Sequence, residues 1–516
     1  MFPLIANLIV FAIAALVSYL LTPKPAKIGK PDPGTFDLPT CEQGTPYGII
    51  FGRPPRFKGT MVLWYGAYRA VYFKNDKKGR GYLYYMAVHL GLSHGNIDGL
   101  KQIWLNDRCF WPAYKDAGEY SNDGATSISI RKPNAWGGRY NGGGVTLSGD
   151  VLYGDAAQIQ NDTLKKYQDG DSTPYYRGIA SIVFNDTSYW GISPRFPVME
   201  IVLKRTNLHH DGTQMWYIAK SRVDSYFSLN IIHVIRECLT SKTFGRGVST
   251  DRIDSTTFEA SADTLYTEQL GICYRLIPNN ESNITDFLST LEEIMDGVIV
   301  YDHSVGKYKI KLIRDDYDSE SLTTYDEDSF SITTFGRQSY YQVASETVIK
   351  YTDMKSAKGS VAKDDDLSIM LVQGESSITQ TFDWPMLVNP DVAAKLASRE
   401  QDQASKMPAF LKLSANRTMY DKQRGDVFKI SHPRLLAGGI SEMTVRVVAR
   451  DRGELDNGEI ELDVVEEIFV DAVAVNGVPG VTVTPTPTPT VSNSSSESVE
   501  FSCSACTVAI INETKT

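Results

Sequence analysis

The chain has 516 residues, too many for one hydrophobic core and enough for about two to four domains of ~100–200 residues each. With 52 Lys and Arg against 62 Asp and Glu the net charge is −10, and the basic residues form no long block, which argues against a nucleic-acid binder. Cys41, Cys109, Cys238, Cys273, Cys503 and Cys506 are too sparse for a disulfide framework and read as reduced thiols.

An apolar run from Leu4 to Leu21 carries no charged residue and stops at Thr22-Pro23-Lys24-Pro25. As a helix it would be roughly 27 Å long, just short of the ~30 Å hydrocarbon core of a bilayer. Leu4, Ile5, Leu8, Ile9, Phe11, Ile13, Leu16 and Leu20 are its candidate membrane-facing or lumen-facing residues. Met1-Phe2-Pro3 offers no basic n-region, whereas Lys24, Lys27 and Lys30 follow the run, so secretion is disfavoured. A membrane anchor, a signal sequence and a helix buried in an assembly all remain open on this pattern.

After a Pro/Lys/Gly linker, short β-prone pieces alternate with turns: Tyr47 to Gly52, Gly59 to Gly66, Tyr82 to Leu90, and Gly99 to Trp111 with a hairpin turn at Asn106-Asp107. Gly178 to Asn185 and Val198 to Arg205 add two more strands. The middle then changes character. Asn230 is placed to cap a helix carrying Ile231, Ile232, Val234, Ile235, Cys238 and Leu239, which ends before Phe244-Gly245-Arg246-Gly247. A second helix has Asn283 as its cap, Asp286 at N3, an apolar stripe of Ile284, Phe287, Leu288, Leu291, Ile294 and Met295, and Gly297 where a left-handed C-cap belongs.

Val298 to Tyr301 and Lys307 to Ile313 flank His303-Ser304-Val305-Gly306 as a hairpin, completing an αββ unit. Strands return between Tyr341 and Val470, among them Phe410 to Leu413, Asp426 to Ser431 and Met443 to Ala449, interrupted by a helix that starts at Asn389-Pro390-Asp391. Beyond Gly480 a Thr/Pro spacer and a Ser-rich stretch precede a short β-prone end, Val499 to Ile511.

Catalytic chemistry finds few footholds. Glycan hydrolysis would need two carboxylates across a bond, and Glu292 with Glu293, Asp315 with Asp316, and Asp364 to Asp366 are the pairs on offer. Each has a plainer reading, as the polar side of a helix, a turn after a strand, and a Ser/Lys/Gly loop. His209-His210-Asp211 reads as a solvated turn rather than a metal cluster, and His89 and His94 flank a Gly-Leu-Ser turn. Cys503 and Cys506 have C-x-x-C spacing without a partner motif. The reading assigns no catalytic, cofactor-binding or metal-binding residue and no cofactor.

One resemblance covers the chain from about Pro3 to about Val470. Phe36-Asp37-Leu38-Pro39-Thr40, Pro46 to Gly52 and Leu63-Trp64-Tyr65-Gly66 resemble the opening of the central tail hub, or tail tip, proteins of long-tailed bacteriophages, the family of the lambda host-specificity protein J. Gly95-Asn96-Ile97-Asp98-Gly99 with its following strand to Trp104 is similar to that family's G-x-I-x-G-I-x-x-I-W element. Cys238 to Gly247 is similar to its L-T-x-x-x-Y-G-x-G helix end, and Ile253 to Ala260 to its I-D-x-x-S-F-x-x-A element. The chain is shorter than J-like relatives and ends in a Thr/Pro spacer where long relatives carry fibronectin-like modules and a receptor-binding fibre.

The resemblance implies a structural virion protein rather than an enzyme, trimeric, at the distal end of the tail, with assembly in the host cytoplasm. Its partners would be the distal tail ring, the tape-measure protein and a fibre or small tip proteins, with the N-terminal helix either plugging the hub or entering the host membrane. The alternatives are a tail-associated envelope-degrading enzyme and a membrane-anchored bacterial surface protein. The expected fold class is α+β and β-rich: two tube-like β-barrel or sandwich domains flank a mixed α/β middle region, preceded by an N-terminal apolar helix. The expected parts are an apolar helix (1–22), a linker (23–35), a tube-docking β-rich domain (36–205), a mixed region closing the tip (206–330), a second β-rich domain (331–475) and a C-terminal spacer with a docking segment (476–516).

Overall fold

The computed structural model describes residues 47–58, 61–75, 79–112, 124–138, 143–191, 198–277, 284–374, 377–453 and 458–469. The expected apolar helix with its eight named residues, the linker, the Phe36–Thr40 motif, the Asn283 cap and the Cys503–Cys506 pair lie outside them. Strands take 40% and helices 22% of the described residues, which are thus β-rich, and the strands include a small β-barrel and a half-barrel. Among the described residues no helix is long and apolar enough to cross a membrane.

Met61–Asn75 and Gly79–His94 form a long hairpin, and the second of these strands continues into a sheet with Ile179–Phe184, Val145–Leu152 and Ser127–Lys132. Along Val145–Leu152 burial alternates residue by residue, as a strand with one face on a core requires. A separate four-stranded sheet carries Gly99–Leu105 between Met199–Lys204 and Arg108–Trp111. Its hairpin turns at Asn106 and Asp107, both with positive φ (44° and 61°), the primed geometry that suits a right-twisted ribbon. Val62, Leu90, Ile103, Leu147, Ile182 and Leu203 are among the side chains that close this core.

The second core belongs to the helices. Asn230 caps Ile231–Thr240 by accepting from the Ile232 amide, and the helix buries eight of its ten residues. Ser255–Glu268 crosses it and adds Phe258, Ala262 and Leu265; Ile284–Met295 adds Phe287, Leu288, Leu291, Ile294 and Met295. The hairpin Gly297–Asp302 with Lys307–Leu312 follows directly, as the αββ reading expects. The C-cap differs from expectation. Asp296 takes the left-handed conformation (φ 47°), and Gly297 already belongs to the strand. Glycine is needed at 297 for space, since a Cβ there would stand 3.0 Å from both Leu312 Cδ2 and the Lys311 carbonyl.

A third core lies inside a six-stranded sheet built from two stretches of chain. Thr324–Tyr325 and Phe330–Arg337 supply two strands, and Ala409–Ala415, Val427–Ile430, Met443–Asp451 and Ile460–Glu466 the other four. Between them the chain returns to the helical core: strands Glu346–Asp353, Lys358–Asp365 and Thr379–Asp383 form a three-stranded sheet, and Pro390–Ser405 packs on it with Val392, Ala393, Leu396 and Ala397 buried.

Candidate functional site

The catalytic candidates do not converge. Glu292 accepts a hydrogen bond from the Ile299 amide and so joins its helix to the hairpin, while exposed Glu293 offers its main-chain carbonyl to Arg399. Asp315 and Asp316 are exposed. The aspartate triplet is not in a loop: Asp364 and Asp365 end a strand, and Asp366 caps Leu367–Val372 by accepting from the Ser368 and Ile369 amides. His89 and His94 are not beside a turn either, because Gly79–His94 is one strand; His89 is fully buried and its Nε2 lies 3.0 Å from Ser181 Oγ. Burial lowers its pKa to about 3. Among the described residues no group of His, Cys, Asp or Glu is arranged to hold a metal ion, and Cys109, Cys238 and Cys273 are free thiols.

His209-His210-Asp211 forms a turn, as expected, and Asp211 is exposed, but the His209 and His210 side chains are 14% and 13% exposed and join a buried polar cluster, which corrects the expectation of solvation for these two. Arg205 directly follows the last strand of the first β-rich region, and Glu237 sits on the buried face of Ile231–Thr240. Their side chains are 1% and 3% exposed. Arg205 donates to both Glu237 oxygens (2.8 and 2.9 Å) and to the Ile50 and Leu208 carbonyls. Its remaining nitrogen has no acceptor among the described residues; the guanidinium lies 5.1 Å from the centroid of the Phe51 ring, whose negative face offsets part of that loss. Glu237 Oε1 also accepts from the His210 amide (2.8 Å) and lies 3.1 Å from His210 Nδ1.

The loop between them is held from its other side too. Asp98 accepts from the amides of Thr206, Asn207 and Leu208 and from the Thr206 hydroxyl. Gly52, at φ 69°, exchanges main-chain hydrogen bonds with Arg205, and a Cβ there would meet the Ile272 and Phe227 carbonyls at 2.7 and 2.9 Å. Burial alone would raise the Glu237 carboxyl, but Arg205 and the two histidines outweigh it and hold it well below the usual carboxylate range. The arrangement neutralises charge in place and fastens the loop to the helix; on its far side His210 Nε2 lies 3.4 Å from Ser241 Oγ, so Ser241, His210 and Glu237 stand in a row.

A second buried Arg–Glu pair lies within the region of the six-stranded sheet, whose link to the helical centre is made by the Lys311–Asp426 ion pair and by the Arg314 carbonyl. Arg446 on the six-stranded sheet pairs with Glu467 at 2.6 Å, both buried, and also donates to the Gly425 and Arg314 carbonyls. Arg314 pairs with both Glu268 oxygens at 2.8 Å and donates to the Met295 and Asp296 carbonyls, while Arg399 donates to those of Glu293 and Ile294. Two cations thus satisfy the last carbonyls of Ile284–Met295, where the helix dipole favours positive charge.

No family model matches the chain, and no curated protein does. Among solved structures, a chain described as the virion of a native gene transfer agent particle shares 12% identity over 86% of this chain and 89% of that one, with a TM-score of 0.54. A 43 kDa tail protein of prophage MuSo2 from Shewanella oneidensis matches over 71% of this chain and 97% of its own (14% identity, TM-score 0.27). Prophage tail protein gp18 from Listeria monocytogenes matches over 75% and 91% (13%, 0.26). The first comparison shows a shared fold along most of both chains; the other two superpose too loosely to add weight. At this identity the likeness is one of fold.

Proposed function

We propose that the chain is a structural component of a phage-type tail, a non-enzymatic virion protein that acts as the trimeric hub at the distal end of the tail tube. The observation that carries this reading is the fold shared with a gene transfer agent virion component along 86% of this chain and 89% of that one. The architecture agrees with it: two β-rich regions flank a helical centre, and three copies would present six similar faces to a sixfold tube. A buried Arg–Glu pair between the first β-rich region and the helical centre, and another within the second region, suit a body that must keep its shape under assembly. In this reading the hub contacts the distal ring and the tape-measure protein, carries a fibre, and opens for DNA release, with Leu4 to Leu21 plugging the lumen or entering the host envelope. The finer likeness to the lambda J family belongs to this proposal.

Disrupting the gene in a producing strain, followed by electron microscopy with immunogold labelling of complemented particles, tests the reading. Tails that are absent or unfinished in the mutant, with label at the distal end in the complemented particles, are the expected result; label on the head or neck, or normal tails without the protein, overturns it. Zymography on cell-wall material checks the non-enzymatic part, where no clearing is expected.

A further inference from the structure

The short helix Leu367–Val372 turns its apolar side outward. Ile369 is buried, while Leu367 and Leu371, four residues apart and therefore on one face, are 67% and 72% exposed, and Val372 beside them is 50% exposed. A stripe of this kind ordinarily lies against a core. The chain around the helix extends the same surface. At its start the Asp366 amide donates to the Ser345 carbonyl, and at its end the Gln373 side chain donates to the Tyr340 and Val343 carbonyls, so both ends are tied to the loop from Tyr340 to Ser345. Ser345 in turn holds Ile378: its amide donates to the Ile378 carbonyl, and its hydroxyl accepts from the Ile378 amide. Tyr340, Tyr341 and Ile378, at 51%, 70% and 37% exposed, thereby border the helix.

These six side chains leave on the order of 600 Å² of largely apolar surface in water, the upper end of what a monomer shows and most of the ~800 Å² that each partner contributes to a stable interface. The face is also nearly free of charge. Residues 338–345 include no Lys, Arg, Asp or Glu, and residues 367–382 include only Glu375. At its rim Arg337 is paired with Glu466, and Glu346 with Lys363, inside the chain. In a chain of net charge −10, two copies repel wherever charged surfaces meet, and this face brings its own copy almost no like charge. A second copy is therefore the occupant that the face suits.

We propose that this face packs against the same face of neighbouring copies around a threefold axis, so that Tyr341 and Leu371 are buried between copies. This contact rests on the oligomeric hub reading and gives it an interface.

The test uses the full-length chain, read by light-scattering mass across concentration and by photo-cross-linking from p-benzoylphenylalanine placed at position 341 in light chains mixed with heavy-isotope chains. The wild type is expected to form a trimer that persists at high salt, as an apolar contact does, and the mixture to give light-to-heavy cross-links into residues 338–345 or 367–382. Tyr341→Asp with Leu371→Asp should weaken association by about tenfold or more while the circular dichroism of the chain stays that of the wild type. Tyr341→Phe with Leu371→Met keeps the face apolar and should associate within about threefold of the wild type. The cross-link map decides the matter even where the aspartate variant fails to fold. A trimer that ignores the aspartates, or whose cross-links all join other segments, overturns the contact and leaves the oligomeric hub standing. A wild type that stays monomeric overturns the contact, while the tail location is still decided by the labelling experiment. A face that instead carries the monomer onto phosphatidylcholine vesicles, and loses that binding with the aspartates, also overturns it.

Discussion

The two β-rich regions use buried Arg–Glu pairs in different ways. Arg205 of the first meets Glu237 on a helix of the centre, in a cluster that includes His209 and His210; Arg446 meets Glu467 inside the second region itself, beside Tyr317. Each arginine keeps two main-chain acceptors, Ile50 and Leu208 or Gly425 and Arg314, but Glu237 also accepts from the amide of His210 in a separate loop, whereas Glu467 accepts from the amide of Ile468 beside it. The difference teaches that equal burial does not mean equal dependence. A carboxylate that organises both an ion pair and a loop is harder to lose than one that completes a pair and holds only its neighbour.

The strongest way to break the comparison is Glu237→Ala, which leaves Arg205 buried without its counter-charge and frees the His210 amide. We expect a loss of about 3–5 kcal/mol, read from chemical denaturation. Glu467→Ala should cost less, about 3 kcal/mol, because it frees only the neighbouring Ile468 amide and no distant loop. Equal losses would show that the loop adds nothing to the Arg205–Glu237 pair.

Acid sharpens the contrast. His233 on the Ile231–Thr240 helix is lowered to about 4 by burial, with smaller effects from its neighbours, and its Nε2 lies 2.9 Å from the Tyr217 carbonyl. A histidine with a lowered folded pKa binds more protons when unfolded, so its contribution is complete above about pH 6.5 and declines as the pH falls toward the folded value. Each such histidine contributes a slope of at most ~1.4 kcal/mol per pH unit. Stability should therefore fall from pH 6.5 to 4.5 through His233 and His89. Glu237, held low, adds its loss only below the ordinary carboxylate range, as the pH drops through its own folded pKa. His233→Gln should flatten the curve in a pH titration of the denaturation midpoint; an unchanged slope would remove His233 from the account.

Gly297→Ala tests packing in the helical centre, with a cost of about 1–3 kcal/mol because Leu312 or Met295 must shift. Smallest of all is Lys412→Ala, which removes an exposed pair with Asp463 and should leave the melting temperature unchanged within error.

Where a local signal existed, the sequence was readable. Asn230, Asn389-Pro390 and the alternation around His303 to Gly306 marked a helix start, another helix start and a hairpin, because caps and turns act within a few residues. The roles of Asp98 and Glu237 were not readable: each depends on amides or cations brought near by the fold, as when Asp98 captures the loop more than a hundred residues later. His209-His210 looked solvated for the same reason, since Glu237 beneath it is absent from its own stretch of chain. Asp366, expected in a loop, caps its helix through amides only two and three residues on, a local signal the sequence did carry.

The join at Arg205 also sets a route for force. A pull on Met199–Lys204 passes through the guanidinium to the Ile231–Thr240 helix without first straightening the loop from Thr206 to Thr213, because the side-chain link spans the shorter way. Under load the loop then behaves as slack and the ion pair as the taut member, so in single-molecule stretching the first rupture should follow the state of Glu237 rather than the length of the loop.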